Sequence, residues 1–584
     1  MKSLLFVYGW LLFTLSACTA QTQKQTTLPD LPVTQGSNET VSYAEGIAFL
    51  EKLAAASPYI NLDTVGTTDA GFPLHTAVFS AKSDFSPQKI QENGDYVLFI
   101  NNAIHPGEPD GIEASFQLLH ELCTDKKLRK ELEDVVLVVI PFYNIGGALN
   151  RRHYTRVNQN GPHEMGFRGN ARNFDLNRDF IKADSRNVRA FYRIFHRWQP
   201  DFFVDTHVSN GADYQYTLTL LGTQADKLSA PLGDYFKNEF MPKLQAELLE
   251  KYDEPTTPYV NAWGTTPEKG FPQFMDLPRY SSGYAGLFHV PSIVPELHML
   301  KPYPRRVEAM YRFLKTTSLM MATEGKTLRE NAQKARKLEQ NASTFHFDWN
   351  LDDNRADTVT FLGYAAEFRP SPVTKREQLY YNQEKPYQKQ IPFFAYYKAT
   401  RNTQKPKAFI VPQSQYKVLE LLRMNNIQME RITEDSEKEL TTYYIDKFET
   451  RNSPYEGHYL HYNTEVREET QTVQLRAGDY RVTTDQPHVR YVMETLWPEA
   501  EDSFFNWNYF DAILQEKEGF SSYVFDPMAT QILEENPDLA AALEQKRAED
   551  EVFRGSAYQQ LKFIYDRSPY AEPEYRRYPI FGEK

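Results

Sequence analysis

Cysteine is nearly absent: the 584 residues contain two, Cys18 and Cys123. Long apolar runs are absent beyond the N-terminus, and mean hydropathy is −0.60. A multispan membrane protein is therefore excluded, because each spanning helix needs about 20 apolar residues. Positive charge is in deficit, with 65 Lys and Arg against 78 Asp and Glu and a net charge of −13. That balance argues against nucleic acid as a main partner. A Gly-x-Ser-x-Gly elbow and a His-Glu-x-x-His helix are both missing, which removes two common hydrolase designs. No repeat of 20–50 residues is visible. Gly325-Lys326-Thr327 resembles the end of a phosphate loop, but the earlier glycine is missing and the context is helical.

What is present is ordinary globular composition, 41% hydrophobic and 24% charged, with a length that suggests two to four domains. The 37 Tyr and 38 Phe imply broad packing surfaces or ligand grooves. Met1-Lys2 precedes an apolar stretch from Leu4 to Leu15, too short to span a bilayer and suited to a signal peptide. It ends in Leu15-Ser16-Ala17-Cys18, which resembles the bacterial lipobox. Residues 1–17 then form a lipoprotein signal peptide, and Cys18 becomes a lipidated N-terminus on a polar tether over 18–40. The expected location is a bacterial cell envelope, on its periplasmic or surface face, with the lipid as the membrane partner. With Cys18 lipidated, Cys123 stands alone and the chain folds without a disulfide. Cys123 closes an apolar helix face with Ile112, Phe116 and Leu119 and reads as a small buried hydrophobe.

Strands and helices alternate from Ser42 onward. Tyr96 to Asn101 and Val135 to Phe142 are continuous apolar runs of the kind buried on both sheet faces. Pro109 and Asp110 open a helix that reaches about Cys123. Phe202 to Asp205 and Ser292 to Val294 are shorter strands, and Tyr303 to Leu314 is helical, with a Lys/Glu-rich helix following to about Gln340. This predicts an α/β fold with a mixed, largely parallel central sheet flanked by helices over 41–325. A smaller α+β or β-rich accessory domain, or a pair of small ones, is expected over 343–584. It contains a strand–helix–strand unit: Ala408 to Val411, Gln415 to Met424 and Ile427 to Ile432. That region reads as a packing and docking module, with sugar binding on its aromatic faces as the other reading.

One constellation carries chemistry. The strand at Tyr96–Asn101 runs into His105-Pro106-Gly107-Glu108, and loops at strand C-termini are where α/β sheets place ligands. A His and a Glu three apart across a Pro-Gly turn can turn a nitrogen and an oxygen toward one ion. A catalytic zinc needs three such ligands and an open position, and His207 ends another strand. Asn177-Arg178 suits capture of a carboxylate, since a guanidinium binds it through two parallel bonds. Glu296 closes an apolar strand, and a carboxylate beside an activated water is a general base.

The order His-x-x-Glu, Asn-Arg, His and late Glu resembles the zinc carboxypeptidase (carboxypeptidase A-like) metallopeptidase family, in a large bacterial lipoprotein form. Asn144-Ile145-Gly146-Gly147 is similar to that family's Asn-Pro-Asp-Gly turn, with two residues replaced. The resemblance covers roughly residues 42 to 320. It implies one zinc ion held by His105, Glu108 and His207, with Glu296 as catalytic base and acid. It also implies that Asn177 and Arg178 hold the substrate's C-terminal carboxylate, Asp175 orients His105, and Tyr280 caps the substrate, with Tyr284 as its competitor. An arginine should offset charge on the scissile carbonyl; Arg152, Arg156, Arg168 and Arg172 qualify, and Arg156 is preferred. Asp179 departs from the family's Asn and puts a negative charge near the carboxylate site. The expected activity is removal of C-terminal residues from envelope peptides. The alternatives are a wall-peptide peptidase acting on γ- or D-linked residues, an aspartoacylase-like amidohydrolase, and a metal-free binding protein. Oligomeric state does not follow from the sequence.

Overall fold

The computed structural model describes residues 27–584. Cys18, the signal peptide and the start of the tether lie outside the described residues.

Ten strands precede residue 300: β1 (Ile60–Val65), β2 (Leu74–Ser80), β3 (Tyr96–Asn101), β4 (Val135–Ile140), β5 (Phe202–Asp205), β6 (His207–Ser209), β7 (Leu218–Gly222), β8 (Thr256–Pro258), β9 (Phe271–Pro272) and β10 (Ser292–His298). All but β9 join one sheet in the order β1-β2-β4-β3-β5-β10-β7-β8, with β6 beside β10. Its centre, β4-β3-β5-β10, is parallel throughout, whereas β1 with β2, β2 with β4 and β7 with β10 pair antiparallel. Every residue of β4 is buried, as helices on both faces require. Alternation along the strands divides the core. Leu98, Ile100 and Val139 pack with Phe49, Phe116 and Phe313 of three helices on one side. Val97, Phe99 and Val138 pack with Phe191, Phe195 and Tyr284 on the other.

The two expected helices after Tyr303 are one helix of 39 residues, Tyr303–Asn341. Gly325 sits within it where a Cβ would lie 2.5 Å from the Tyr96 ring, so Gly325-Lys326-Thr327 is a helix contact and not a phosphate loop. Near the start of this helix the buried Arg306 meets buried Asp110 at 2.7 Å. It also donates to the carbonyls of Asn160, Gly161 and Lys301, tying the helix to a loop below the site. Cys123 is half-buried, with its thiol donating to the Leu119 carbonyl at 3.2 Å. No helix among the described residues is long and apolar enough to cross a membrane.

Three expectations need correction. The tether does not extend to residue 40: Leu28, Leu31 and Val33 pack against the core, and Arg151 donates to the carbonyls of Thr40 and Val41. Nor is 343–584 a separate body, because Leu422, Tyr491, Trp497 and Trp507 share one hydrophobic cluster with Phe99, Phe191 and Tyr284. Phe409, Phe504, Phe505 and Phe510 of this region join that shared core as well. The strand–helix–strand unit is altered too. Ala408–Val411 and the helix Tyr416–Met424 form, but the last strand shortens to Glu430–Arg431. Tyr480–Thr483 lies between the two strands, antiparallel to both. Long hairpins, Asp357–Pro370 with Glu377–Phe394 and Ser436–Thr450 with His461–Leu475, complete the β-rich part.

Candidate active site

The site lies at the carboxyl edge of the parallel strands, the usual ligand edge of such sheets. β3 leads into the His105–Glu108 turn, β5 and β6 carry Asp205 and His207, and β10 sets Glu296 in register with His207. The turn is locked from beneath. The Thr206 hydroxyl donates to Asn102 Oδ1 at 2.9 Å, and Asn102 Nδ2 donates to Ser115 Oγ at 3.0 Å. Gly111 is required there, since a Cβ would stand 2.1 Å from the Thr206 hydroxyl.

His105, Glu108 and His207 are buried, and each offers a ligand atom within 4.8 Å of the others. Both imidazoles turn Nδ1 toward Glu108, at 3.2 Å for His105 and 3.2 Å for His207. Their Nε2 atoms face carboxylates: Asp175 Oδ1 at 3.0 Å and Asp205 Oδ2 at 3.2 Å. His105 Nδ1 is buried without a hydrogen-bond partner. Two carboxylate-oriented imidazoles and a carboxylate converging on one point fit a zinc ion, whose ligating histidines normally carry such partners. Burial opposes the Glu108 charge, yet Arg156 and His105 outweigh it and hold the carboxyl well below the usual range. Burial likewise opposes protonated His207, but Asp205 and Glu108 raise it well above an ordinary histidine. Burial raises Glu296 to about 7, with Glu108 adding and His207 opposing. A carboxyl poised there suits a base working near neutral pH.

Asp205 escaped the sequence reading. It is fully buried, accepts from Asn101 Nδ2 at 3.0 Å and from the Ser281 hydroxyl, and orients His207. The signal was available: residues two apart on an extended chain face the same side.

A cavity of about 230 Å³ is lined by His105, His207, Glu296, Asn177, Arg178 and Tyr280. Tyr280 lies beneath the Arg178 guanidinium, which stands 4.5 Å from its ring centre. Tyr284 is instead fully buried, stacked on Tyr192 and bonded to His196 and Asn425, far from any role as a cap. Of the four arginines, Arg152 and Arg172 stack on Phe167 and Phe174. Arg156 reaches Glu108 at 2.6 Å. Arg168 lies 3.5 Å from Glu108 and 2.9 Å from Asp175 and lines the Glu296 cavity, so it stands beside Arg156 as a candidate. The Asn144 turn supports it: Asn144 Oδ1 accepts from Gly147 N at 2.8 Å while Nδ2 donates to the Arg168 carbonyl at 2.9 Å.

The expectation for Asp179 is overturned. Its buried carboxylate pairs with Lys182 at 2.8 Å and accepts from the backbone of Asp184 and Ser185, each at 3.0 Å. It stabilises the following helix start and leaves Arg178 its charge.

Residues 46–282 match the model of the zinc carboxypeptidase family. Carboxypeptidase 2 of Trichophyton tonsurans is 29% identical over 111 residues, 19% of this chain and 18% of that protein. The probable carboxypeptidase 2 of Trichophyton verrucosum matches to the same extent, 29% over 111 residues. The match thus spans about 18% of the length of these curated relatives. Among solved structures, a metallo-carboxypeptidase from Burkholderia cenocepacia is 17% identical with a TM-score of 0.35, covering 48% of this chain and 70% of that one. One from Pseudomonas aeruginosa is 16% identical with a TM-score of 0.37, over 50% and 70%. Likeness at that level adds nothing to the fold described above.

Proposed function

We propose that this protein is a zinc metallocarboxypeptidase that removes C-terminal residues from peptides in a bacterial cell envelope, held to the membrane through Cys18. The observation that carries the reading is the convergence of His105, Glu108 and His207 with Glu296 in one cavity that also exposes Arg178. Zinc held by His105, Glu108 and His207 would supply Lewis acidity. Glu296 takes the proton of the attacking water and returns it to the departing amine. Asn177 and Arg178 seat the terminal carboxylate, and Arg156 or Arg168 offsets the negative charge that builds on the scissile carbonyl. Tyr280 covers the seated residue.

The test compares peptides with free and amidated C-termini. The free acid is expected to be cut faster by one to two decades in kcat/KM, the scale of a charge-assisted contact. Equal rates would point to an endopeptidase or amidase, and muropeptides in the same panel would separate a wall-peptide activity. For the anchor, Cys18→Ser is expected to leave the protein soluble or unprocessed in fractionation. Retention as tight as wild type would place the anchor elsewhere.

A further inference from the structure

The shared core brings one turn of the C-terminal region into the active site. Tyr455 and His458 bridge, with Tyr455 N donating to the His458 carbonyl at 2.8 Å and the reverse bond at 3.0 Å. Between them Glu456 has φ +49° and Gly457 φ +86°, both left-handed, the signature of a tight primed turn. Glycine is required at 457, where a Cβ would stand 2.9 Å from the Phe174 ring. His458 Nε2 pairs with Asp184 Oδ2 at 2.8 Å, fixing the turn against the catalytic half.

Glu456 is expensive to keep here. Glutamate is disfavoured in left-handed backbone, where Asn, Asp or Gly would serve. Its Oε2 accepts from Asp175 N at 2.8 Å, which brings it beside a second carboxylate. Burial, aided by the Asp175 charge, raises its carboxyl above the ordinary value against the Asp175 N–H bond and the Lys182 and Arg178 charges. An amide side chain could cap the Asp175 N–H without any of the electrostatic cost.

Its surroundings indicate what offsets that cost. A cavity of about 490 Å³ shares His105, Glu108 and Arg168 with the lining of the Glu296 cavity, and Glu456 lines it as well. The other charged groups there are already matched: Glu108 with Arg156, and Asp175 with Arg168 and His105. Glu456 forms no ion pair among the described residues. Arg178 and Tyr280 line the Glu296 cavity and not the second one, so a peptide seated there by its C-terminal carboxylate has the second cavity open to its amino-terminal part.

Resting on the carboxypeptidase reading, we propose that Glu456 is a specificity residue. It recognises a cationic group, a lysine or arginine side chain, within two residues on the amino side of the scissile bond.

The test is binding. Zinc-loaded full-length Glu296→Gln is titrated by calorimetry with N-acetylated tetrapeptides carrying Lys or norleucine at each of those two positions. At one position Lys is expected to bind about ten- to a hundredfold tighter, the range of a charge-assisted contact. Adding Glu456→Gln, which keeps an acceptor for Asp175 N, is expected to abolish that preference while leaving norleucine binding unchanged. Equal binding of Lys and norleucine peptides, no binding of either, or a preference that survives Glu456→Gln would overturn the assignment. Turnover by the wild-type chain is read separately: if no peptide is cut, the carboxypeptidase reading fails, whatever the binding shows.

Discussion

Replacing Asp205 by Asn tests the architecture of the metal centre without touching a ligand. Asp205 is fully buried and bonds three groups: His207 Nε2 at 3.2 Å, Asn101 Nδ2 at 3.0 Å, and the Ser281 hydroxyl. An Asn fits the same space and can still accept from Asn101 or Ser281. What it loses is the negative charge that fixes the imidazole with Nδ1 inward and makes that nitrogen a better donor. Outer partners of this kind are worth about 10- to 100-fold in metal affinity, or about 1.4–2.7 kcal/mol. Asp175→Asn should weaken zinc similarly through His105. It should also raise KM, because Asp175 holds Arg168 and accepts from Asn177 N at 2.9 Å. Zinc affinity is measured by competition with a chromogenic chelator, with circular dichroism as the control for folding. A folded Asp205→Asn protein with wild-type zinc affinity would refute the claim that this carboxylate tunes His207.

The remaining expectations follow from the same geometry. His207→Ala should lose most of its zinc by metal analysis, and full occupancy would remove His207 from the site. Glu296→Gln should keep its zinc and lose at least about 10²-fold in rate, the usual scale for a general base; near-wild-type turnover would assign the water to another group. Arg178→Ala should cut free and amidated peptides at similar, low rates. Arg306→Leu strands the buried Asp110 carboxylate and should cost about 3–5 kcal/mol, read as a large fall in Tm; an unchanged melt would mean that Asp110 is held neutral. Glu339 is depressed to about 2 because His289 and Arg490 outweigh its burial. A depressed carboxyl stabilises above its unfolded value of 4.5 and loses that contribution as pH falls toward 2. Glu339→Gln should therefore flatten the stability profile across that window, and an unaltered slope would assign the acid sensitivity elsewhere.

Much of the catalytic half was legible because its signals are local. VVLVVI in β4 can only be a strand covered on both faces, and the His-x-x-Glu turn follows directly on a strand end. Strand-end placement made His105, Glu108 and His207 candidates for one edge of a parallel sheet, and the resemblance carried by the order of motifs joined them into one donor set. Tertiary packing decided the rest. Asp179 reads as a neighbour of Arg178 along the chain, but its direction is set by Lys182 and two backbone amides. Tyr280 and Tyr284 are equivalent as letters, and only helix packing puts one in the cleft and the other in the core. Neither Asp205 facing Ser281 nor Glu456 reaching Asp175, 281 residues away in sequence, leaves a local trace. Such pairings depend on how elements distant along the chain share one core, and periodicity and spacing report only on what lies within a few turns of each residue.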